Sequence, residues 1–210
     1  MKGFDLYRNG AIILVFLGLA FSLTADKAQF LFWLAKHRST FADYYFYYAT
    51  KLGELEGYVI CGLLMWLASW KKMVTVPILG VIVLGSSYML KSFFQHERPA
   101  LYLERICYEG PMAVLDYPLL SGHHSFPSGH SMGAWALFTL VAALTKKTWV
   151  SILCLFLAFT VSISRVYLLA HFLEDVVSGA LVGIALGYGV YFAYVQWIKS
   201  GYVTKPDKSA

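Results

Sequence analysis

Charge is what this chain has least of. Asp, Glu, Lys and Arg make up 14% of its 210 residues and hydrophobic residues 59%, whereas soluble domains carry roughly 25% charged residues. Together with a mean hydropathy of +0.60, that deficit excludes an ordinary water-soluble globule and points to an integral membrane protein. Cysteine is also scarce. Of the three, Cys61 and Cys154 fall inside apolar runs and Cys107 in a polar connection, so no disulfide framework is expected. The Cys/His spacing of a zinc site is missing, as is a run of oxygen ligands for magnesium, so no metal and no cofactor is expected. No internal repeat or low-complexity segment interrupts the chain. A single domain over 1–210 is expected, with a disordered tail over 200–210.

The net charge of +5 does not indicate a nucleic-acid partner, because the basic residues form no patch. Lys71-Lys72 and Lys146-Lys147 sit in short connections between apolar runs, and Lys2, Arg8, Lys199, Lys205 and Lys208 flank the ends. This is a positive-inside distribution. The apolar run from Ala11 lacks a small-x-small cleavage site and reads as a retained first membrane helix.

Six spans are expected, over 11–23, 57–70, 74–90, 131–144, 149–166 and 176–198, giving an all-α transmembrane bundle. Only the last comfortably meets the roughly 20 residues of a full crossing. The second has to extend back past Glu54 and Glu56 to do so. Six spans with both termini cytoplasmic put every Lys-Lys pair on one side and all six histidines on the other. Gly179, Gly183 and Gly187 recur every four positions and suit close helix approach. The aromatic-rich stretch 41–50 reads as an interfacial helix or a wall of a lipid-facing mouth. In the long polar connection over 93–128, Glu97, Glu104, Glu109, Asp116, His96, His123 and His124 read as solvated or loop-fixing residues. Nothing in the sequence sets the oligomeric state.

Three segments carry chemistry. In SRVYLLAHFLED, Ser164, Arg165, His171 and Asp175 lie between apolar spans, where a central charge costs roughly 2.5–3.5 kcal/mol. A spacing of four puts His171 and Asp175 on one helix face, where the carboxylate can hold one imidazole nitrogen and leave the other free. An ion pair that merely packs helices is the alternative. In KSFFQHERP, Lys91 and Arg98 stand two helical turns apart on one face, and Pro99 ends that helix. In SFPSGHS, a Pro127-Ser128-Gly129 turn enters a helix and presents free N–H groups to an anion. Ser128 adds a hydroxyl and His130 a titratable ring. Three cations, a helix N-terminus, two histidines and one carboxylate describe a phosphate pocket with a nucleophile and an acid.

The ordered pattern K-x6-R-P, P-S-G-H, S-R-x5-H-x3-D resembles the signature of the type 2 phosphatidic acid phosphatase (PAP2) superfamily. Every signature position is filled, from Lys91 to Asp175. The resemblance implies a membrane lipid phosphatase in which His171 is the nucleophile, Asp175 orients it, and His130 is the acid and then the base. Spacing alone leaves the two histidines interchangeable, although only His171 has a carboxylate four residues on. Lys91, Arg98, Ser128, Gly129 and Arg165 are the implied phosphate-binding residues. Ser164 and Pro99 read as structural. The implied substrate is a lipid phosphate in the bilayer: undecaprenyl pyrophosphate, phosphatidylglycerol phosphate or phosphatidic acid, with lipid A as an alternative. The implied setting is a bacterial inner membrane with the site on its outer face. A vanadate-dependent haloperoxidase and a non-enzymatic lipid-phosphate binder or transporter are the competing classes. The first lacks any oxidant-handling feature here, and the second has no use for the nucleophile.

Overall fold

The computed structural model describes residues 2–110 and 114–203, and all regular structure among them is helical. Helix α1 (Lys2–Thr24) is followed by α2 (Lys27–Lys36), α3 (Thr40–Ala49) and a 3-10 turn (Thr50–Gly53). Asp26 caps α2 by accepting from the amides of Ala28 and Gln29, and Ser39 caps α3 through the Ala42 amide; both satisfy donors that a helix start leaves open. Then come α4 (Leu55–Ala68), the single turn α5 (Trp70–Met73), α6 (Thr75–Phe94) and α7 (Pro99–Arg105). The chain ends with α8 (Gly129–Thr145), α9 (Thr148–Tyr167) and α10 (Leu173–Val203). Helix α10 runs to Val203, into the stretch 200–210 expected as a disordered tail. Residues 204–210 lie outside the described residues.

Six helices stand where six spans are expected, but they are not equal. Among the described residues, four stretches are long and apolar enough to cross a membrane: α1, Trp70–Arg105 around α6, α9, and Leu173–Ser200 of α10. The other two, α4 and α8, have 14 and 17 residues. The expected extension of α4 back past Glu54 does not occur. The 3-10 turn folds the chain back there, so that a Cβ on Gly57 would collide with the Leu52 carbonyl. Helix α8 is short for a different reason. Every residue from Ser131 to Leu144 is buried, so neighbouring helices rather than lipid surround it and its length need not match the bilayer.

The glycine repeat is what lets α10 lie against α8. A Cβ on Gly179 would fall 2.5 Å from the Ser128 carbonyl, one on Gly187 2.5 Å from the Ala136 carbonyl, and one on Gly183 would strike the Met132 carbonyl. Within lipid, helix association relies on such close backbone packing, because lipid tails remove the hydrophobic drive between helices. Polar clamps add to it. Ser131 Oγ donates to the Val176 carbonyl at 2.7 Å, and Trp135 Nε1 donates to Ser162 Oγ at 2.8 Å. Tyr7 Oη and Thr139 Oγ1, 2.9 Å apart, tie α1 to α8.

One end of the bundle collects the basic connections. Lys72 Nζ donates to the Leu144 carbonyl at 3.1 Å, the start of α1 abuts Lys146 and Lys147, and Trp70 meets Trp197 at 6.1 Å. The three signature segments lie at the other end.

Gly183→Ala should separate α8 from α10, since the obstructing atom is backbone and cannot rotate away. A loss of about 1–3 kcal/mol, typical of overpacking, should appear as a lower melting temperature in detergent. A variant as stable as the parent would show that the two helices are not held by this contact.

Candidate active site

Lys91 stands in the last turn of α6, which closes at Phe94 with Gln95 in the left-handed region (φ 45°), its amide bonded to the Lys91 carbonyl. This corrects the expected two-turn relationship between Lys91 and Arg98, since a helix break separates them. Pro99 does not end α6 either. It occupies the first turn of α7, with Arg98 as the residue before it, a position where the missing N–H costs nothing. The Arg98 guanidinium donates to the Ala170 carbonyl at 3.0 Å and the His124 carbonyl at 3.1 Å, and its amide donates to the Gly122 carbonyl. Lys91, Arg98 and Arg165 nevertheless converge, close enough for their charges to oppose one another.

The second segment builds the start of α8. Ser128 is fully buried and extended (φ −67°, ψ 115°), and its Oγ accepts from the Ser131 amide at 3.4 Å. Capping uses an oxygen lone pair and leaves the hydroxyl hydrogen for an anion. Gly129 lies beneath Lys91. A Cβ there would sit 2.9 Å from Ser87 Oγ and 3.6 Å from Lys91 Nζ, so an added methyl would crowd the serine and lie against the ammonium. His130 follows in the first turn, its Nε2 2.5 Å from Glu54 Oε1.

Arg165 and His171 complete the cluster. Arg165, in the last turn of α9, is fully buried; Nη1 donates to Thr50 Oγ1 at 2.6 Å, and the Tyr117 ring lies 5.4 Å from the guanidinium carbon. Its Nε and Nη2 make no hydrogen bond among the described residues. A buried guanidinium with open donors is costly unless an anion completes it.

His171 and Asp175 are close, as their spacing predicts, but they do not share a helix. His171 sits in the turn before α10, and Asp175 belongs to the first turn of α10. The carboxylate folds back over that turn: Oδ2 accepts from the Phe172 amide at 3.0 Å and from Ser125 Oγ at 2.5 Å, and lies 3.4 Å from His171 Nδ1. Ser125 Oγ is also 3.3 Å from His171 Nδ1. With the serine hydroxyl donating to Asp175, its oxygen accepts from Nδ1–H. Nε2 of His171 then keeps the lone pair. Burial first, and then the charges of Arg165, Arg98, Lys91 and His130, hold this imidazole well below its ordinary pKa. It is therefore neutral at neutral pH.

Besides Thr50 and Glu54, two further contributors are not legible in the sequence. Ser125 lies beside the P-S-G-H turn, yet nothing in its spacing connects it to Asp175. His96, expected to be solvated or to fix a loop, places Nδ1 3.6 Å from Asp175 Oδ1 and Nε2 3.8 Å from Glu174 Oε1. His96, Glu174 and Asp175 offer one ligand atom each within 4.8 Å of one another. Lys27 Nζ already lies 3.6 Å from Glu174, so a divalent ion there would compete with an ammonium and with the positive end of α10. Among the loop acids, Glu97 is fixed by Arg105 at 2.6 Å.

A cleft of about 800 Å³ opens from this cluster, within the range of small-molecule sites. Its polar end is formed by Glu54, Ser87, Lys91, Gly129 and His130. The rest runs between α4 and α6 along Tyr58, Leu63, Trp66, Val81 and Leu84 to Met73 at the basic end. Helix α3 exposes Phe41, Tyr44 and Tyr48 and packs Phe46 on Tyr167 at 4.6 Å; none of its residues lines the cleft.

An all-helical membrane bundle with this cluster at one end defines the class, and the comparisons name it. The PAP2 superfamily profile matches residues 69–199; the chain belongs to that superfamily. It is 37% identical over 87 residues to the lipid A 4'-phosphatase of Bacteroides thetaiotaomicron, covering 40% of this chain and 39% of that protein. It is 42% identical over 71 residues to phosphatidylglycerophosphatase B of Bacillus subtilis, covering 30% and 35%. It is 35% identical over 117 residues to glucose-6-phosphatase 3 of Rattus norvegicus, covering 48% and 33%. The chain spans between 33% and 52% of the curated relatives it matches. Two crystal structures share the fold: Aquifex aeolicus LpxE, with TM-score 0.65, 23% identity and coverage of 79% and 94%, and the PAP2-type phosphatidylglycerolphosphate phosphatase of B. subtilis, with TM-score 0.61, 22% identity and coverage of 99% and 100%.

Ser125→Ala should leave Asp175 Oδ2 without its hydroxyl donor and His171 Nδ1 without its bridge. Turnover of a lipid phosphate monoester should fall about 10- to 100-fold, the usual range for a group that orients an active-site ligand. Ser125→Thr, which keeps the donor, should recover part of it. Activity of Ser125→Ala within twofold of the parent would remove the serine from the network.

Proposed function

We propose that the protein is a membrane lipid phosphatase that hydrolyses the phosphate monoester or pyrophosphate of a lipid through a phosphohistidine on His171. The observation that carries this reading is the apolar cleft ending at Lys91, Gly129 and His130. A phosphate held by the cations leaves the attached chain a continuous hydrophobic path between α4 and α6. A sugar phosphate, the substrate class named for glucose-6-phosphatase 3, would leave that path unfilled.

Lys91, Arg98 and the open donors of Arg165 neutralise the phosphate, with Ser128 and the first amides of α8; charge-assisted contacts in a water-poor site are strong. Nε2 of His171 attacks phosphorus. The bond from phosphorus to the leaving oxygen breaks with its electron pair, and His130 gives that oxygen a proton. A water then attacks the phosphohistidine and passes its proton to His130, and the P–N bond electrons return to His171. Asp175, through Ser125, stabilises the charge that develops on the His171 ring. No metal enters these steps.

Phosphatidic acid, phosphatidylglycerol phosphate and undecaprenyl pyrophosphate are the candidate substrates, with lipid A 4'-phosphate beside them. The names of the Bacteroides and Bacillus relatives place lipid A and phosphatidylglycerol phosphate first in the panel to test. The same reading turns the basic end and both termini to the cytoplasm of a bacterial cell and the site to the outer face of its inner membrane.

Phosphate release from this panel in liposomes should be seen in excess chelator and abolished in His171→Ala. In Gly80→Leu, whose side chain would enter the cleft beside Tyr58, activity on long-chain substrates should fall at least tenfold relative to a short-chain analogue; a drop of that size is about 1.4 kcal/mol of binding. Activity lost in chelator and restored by magnesium, or equal losses on long and short chains, would contradict this reading.

Orientation has its own test. Cys107 is exposed, whereas Cys61 and Cys154 are buried. A membrane-impermeant maleimide added to spheroplasts should label Cys107 and spare the other two. Labelling only after lysis would turn the site to the cytoplasm.

A further inference from the structure

Glu54 lies outside all three signature segments and before residue 69, where the PAP2 profile match begins. It is the residue preceding α4, a position where short side chains such as Ser, Thr, Asp or Asn cap the first amides of the helix. Its side chain makes no such capping bond and reaches His130 Nε2 at 2.5 Å instead. The contact is anchored on both sides. The 3-10 turn before Glu54 packs flush on the first turns of α8: a Cβ on Gly53 would be 2.8 Å from the His130 carbonyl, and one on Gly133 3.0 Å from the Gly53 carbonyl. Thr50, at the start of the same turn, holds Arg165 at 2.6 Å. One short turn thus supplies a partner to a phosphate-binding arginine and to the second histidine. The Glu54 carboxyl is held below its usual pKa, chiefly by its hydrogen bond to His130, and is therefore ionised at neutral pH.

We propose that Glu54 is the positioning residue of His130, fixing a hydrogen on Nε2 so that Nδ1 alone exchanges the proton with the substrate. The proposal rests on the reading of His130 as acid and base. In the first step Nδ1–H passes to the leaving oxygen and the ring becomes neutral, with Nε2–H still bonded to Glu54. In the second step Nδ1 takes a proton from the attacking water, and the imidazolium that forms lies against the carboxylate. The proton count on His130 is the same before and after turnover. The arrangement parallels the second carboxylate–imidazole pair of the site, in which Asp175 and Ser125 engage Nδ1 of His171 and leave Nε2 to react. Each histidine is held through one nitrogen and works through the other.

The test compares Glu54→Gln, Glu54→Asp and His130→Ala with the parent in detergent, on dioctanoyl phosphatidic acid and on 4-nitrophenyl phosphate. The lipid alcohol leaves only when protonated, whereas nitrophenolate leaves without help. Glu54→Gln should reduce lipid turnover about 10- to 100-fold, as loss of a group that orients an active-site residue does. Rapid-quench formation of phosphoenzyme from nitrophenyl phosphate should change less than about threefold, because the assisted proton transfer is not needed there. Its kcat for the lipid should also lose its alkaline limb at lower pH than the parent, since removing a neighbouring negative charge disfavours the imidazolium. Glu54→Asp should recover part of the lipid turnover. Equal losses on both substrates, or an unmoved alkaline limb, would overturn the role of Glu54 while leaving the phosphatase reading intact. Should His130→Ala itself fail to discriminate between the substrates, the acid–base reading of His130 falls and the role of Glu54 with it. Thermal unfolding of Glu54→Gln, an isosteric change, separates either result from misfolding.

Discussion

Close contact between α8 and α10 is the constraint on which the site depends. With glycines at 179, 183 and 187, the two backbones approach until carbonyls of α8 nearly touch α10. At the upper end of that seam the Ser128 amide donates to the Asp175 carbonyl at 2.9 Å. The Ser128 turn at the start of α8 and the turn that carries His171 are therefore joined through backbone rather than through long side chains. A site assembled in this way has little conformational entropy left to lose on binding a ligand, because Ser128, Arg165, His171 and Asp175 are already buried.

Burial makes the charges expensive and useful at once. The Arg165 guanidinium and the Asp175 carboxylate are each removed from water, and each is only partly satisfied: Nε and Nη2 of the arginine and Oδ1 of the aspartate have no hydrogen-bond partner among the described residues. In the function we propose, the arginine's open donors bind the phosphate. The open oxygen of Asp175 faces His96 instead, on the side away from Ser125, so the carboxylate is approached by imidazole nitrogens from two directions. Groups kept in water would need no such arrangement, and would also stabilise a developing phosphorane charge far less.

The helices around this core divide their work by length. The long ones, α1, α6, α9 and α10, set the frame in the bilayer, while α8 is surrounded by protein. Helix α4 is short and is preceded by a tight 3-10 turn. It leaves an apolar cleft against α6, and the turn delivers Thr50 and Glu54 to the site. A full-length span starting before Glu54 would have carried that acid into a helix wall, away from His130.

Membrane residence and the positions of the six helices follow from the sequence alone, and the eight residues it singles out for chemistry come together at one end of the bundle. Hydropathy reads burial in lipid directly, and charged residues inside apolar runs are too costly to be incidental. The glycine spacing likewise announces a helix contact before its partner is known. Local spacing misleads where the chain bends. Lys91 and Arg98 look like one helix face until Gln95 breaks the helix, and His171 and Asp175 look like two rungs of a helix until the turn before α10 separates them. What tertiary structure alone decides are the contacts between distant segments: Ser125 with Asp175, His96 with the same carboxylate, Thr50 with Arg165 and Glu54 with His130. These pairs lie tens of residues apart in sequence or more, so no local period records them, and they form only when close packing of the helices brings those segments together.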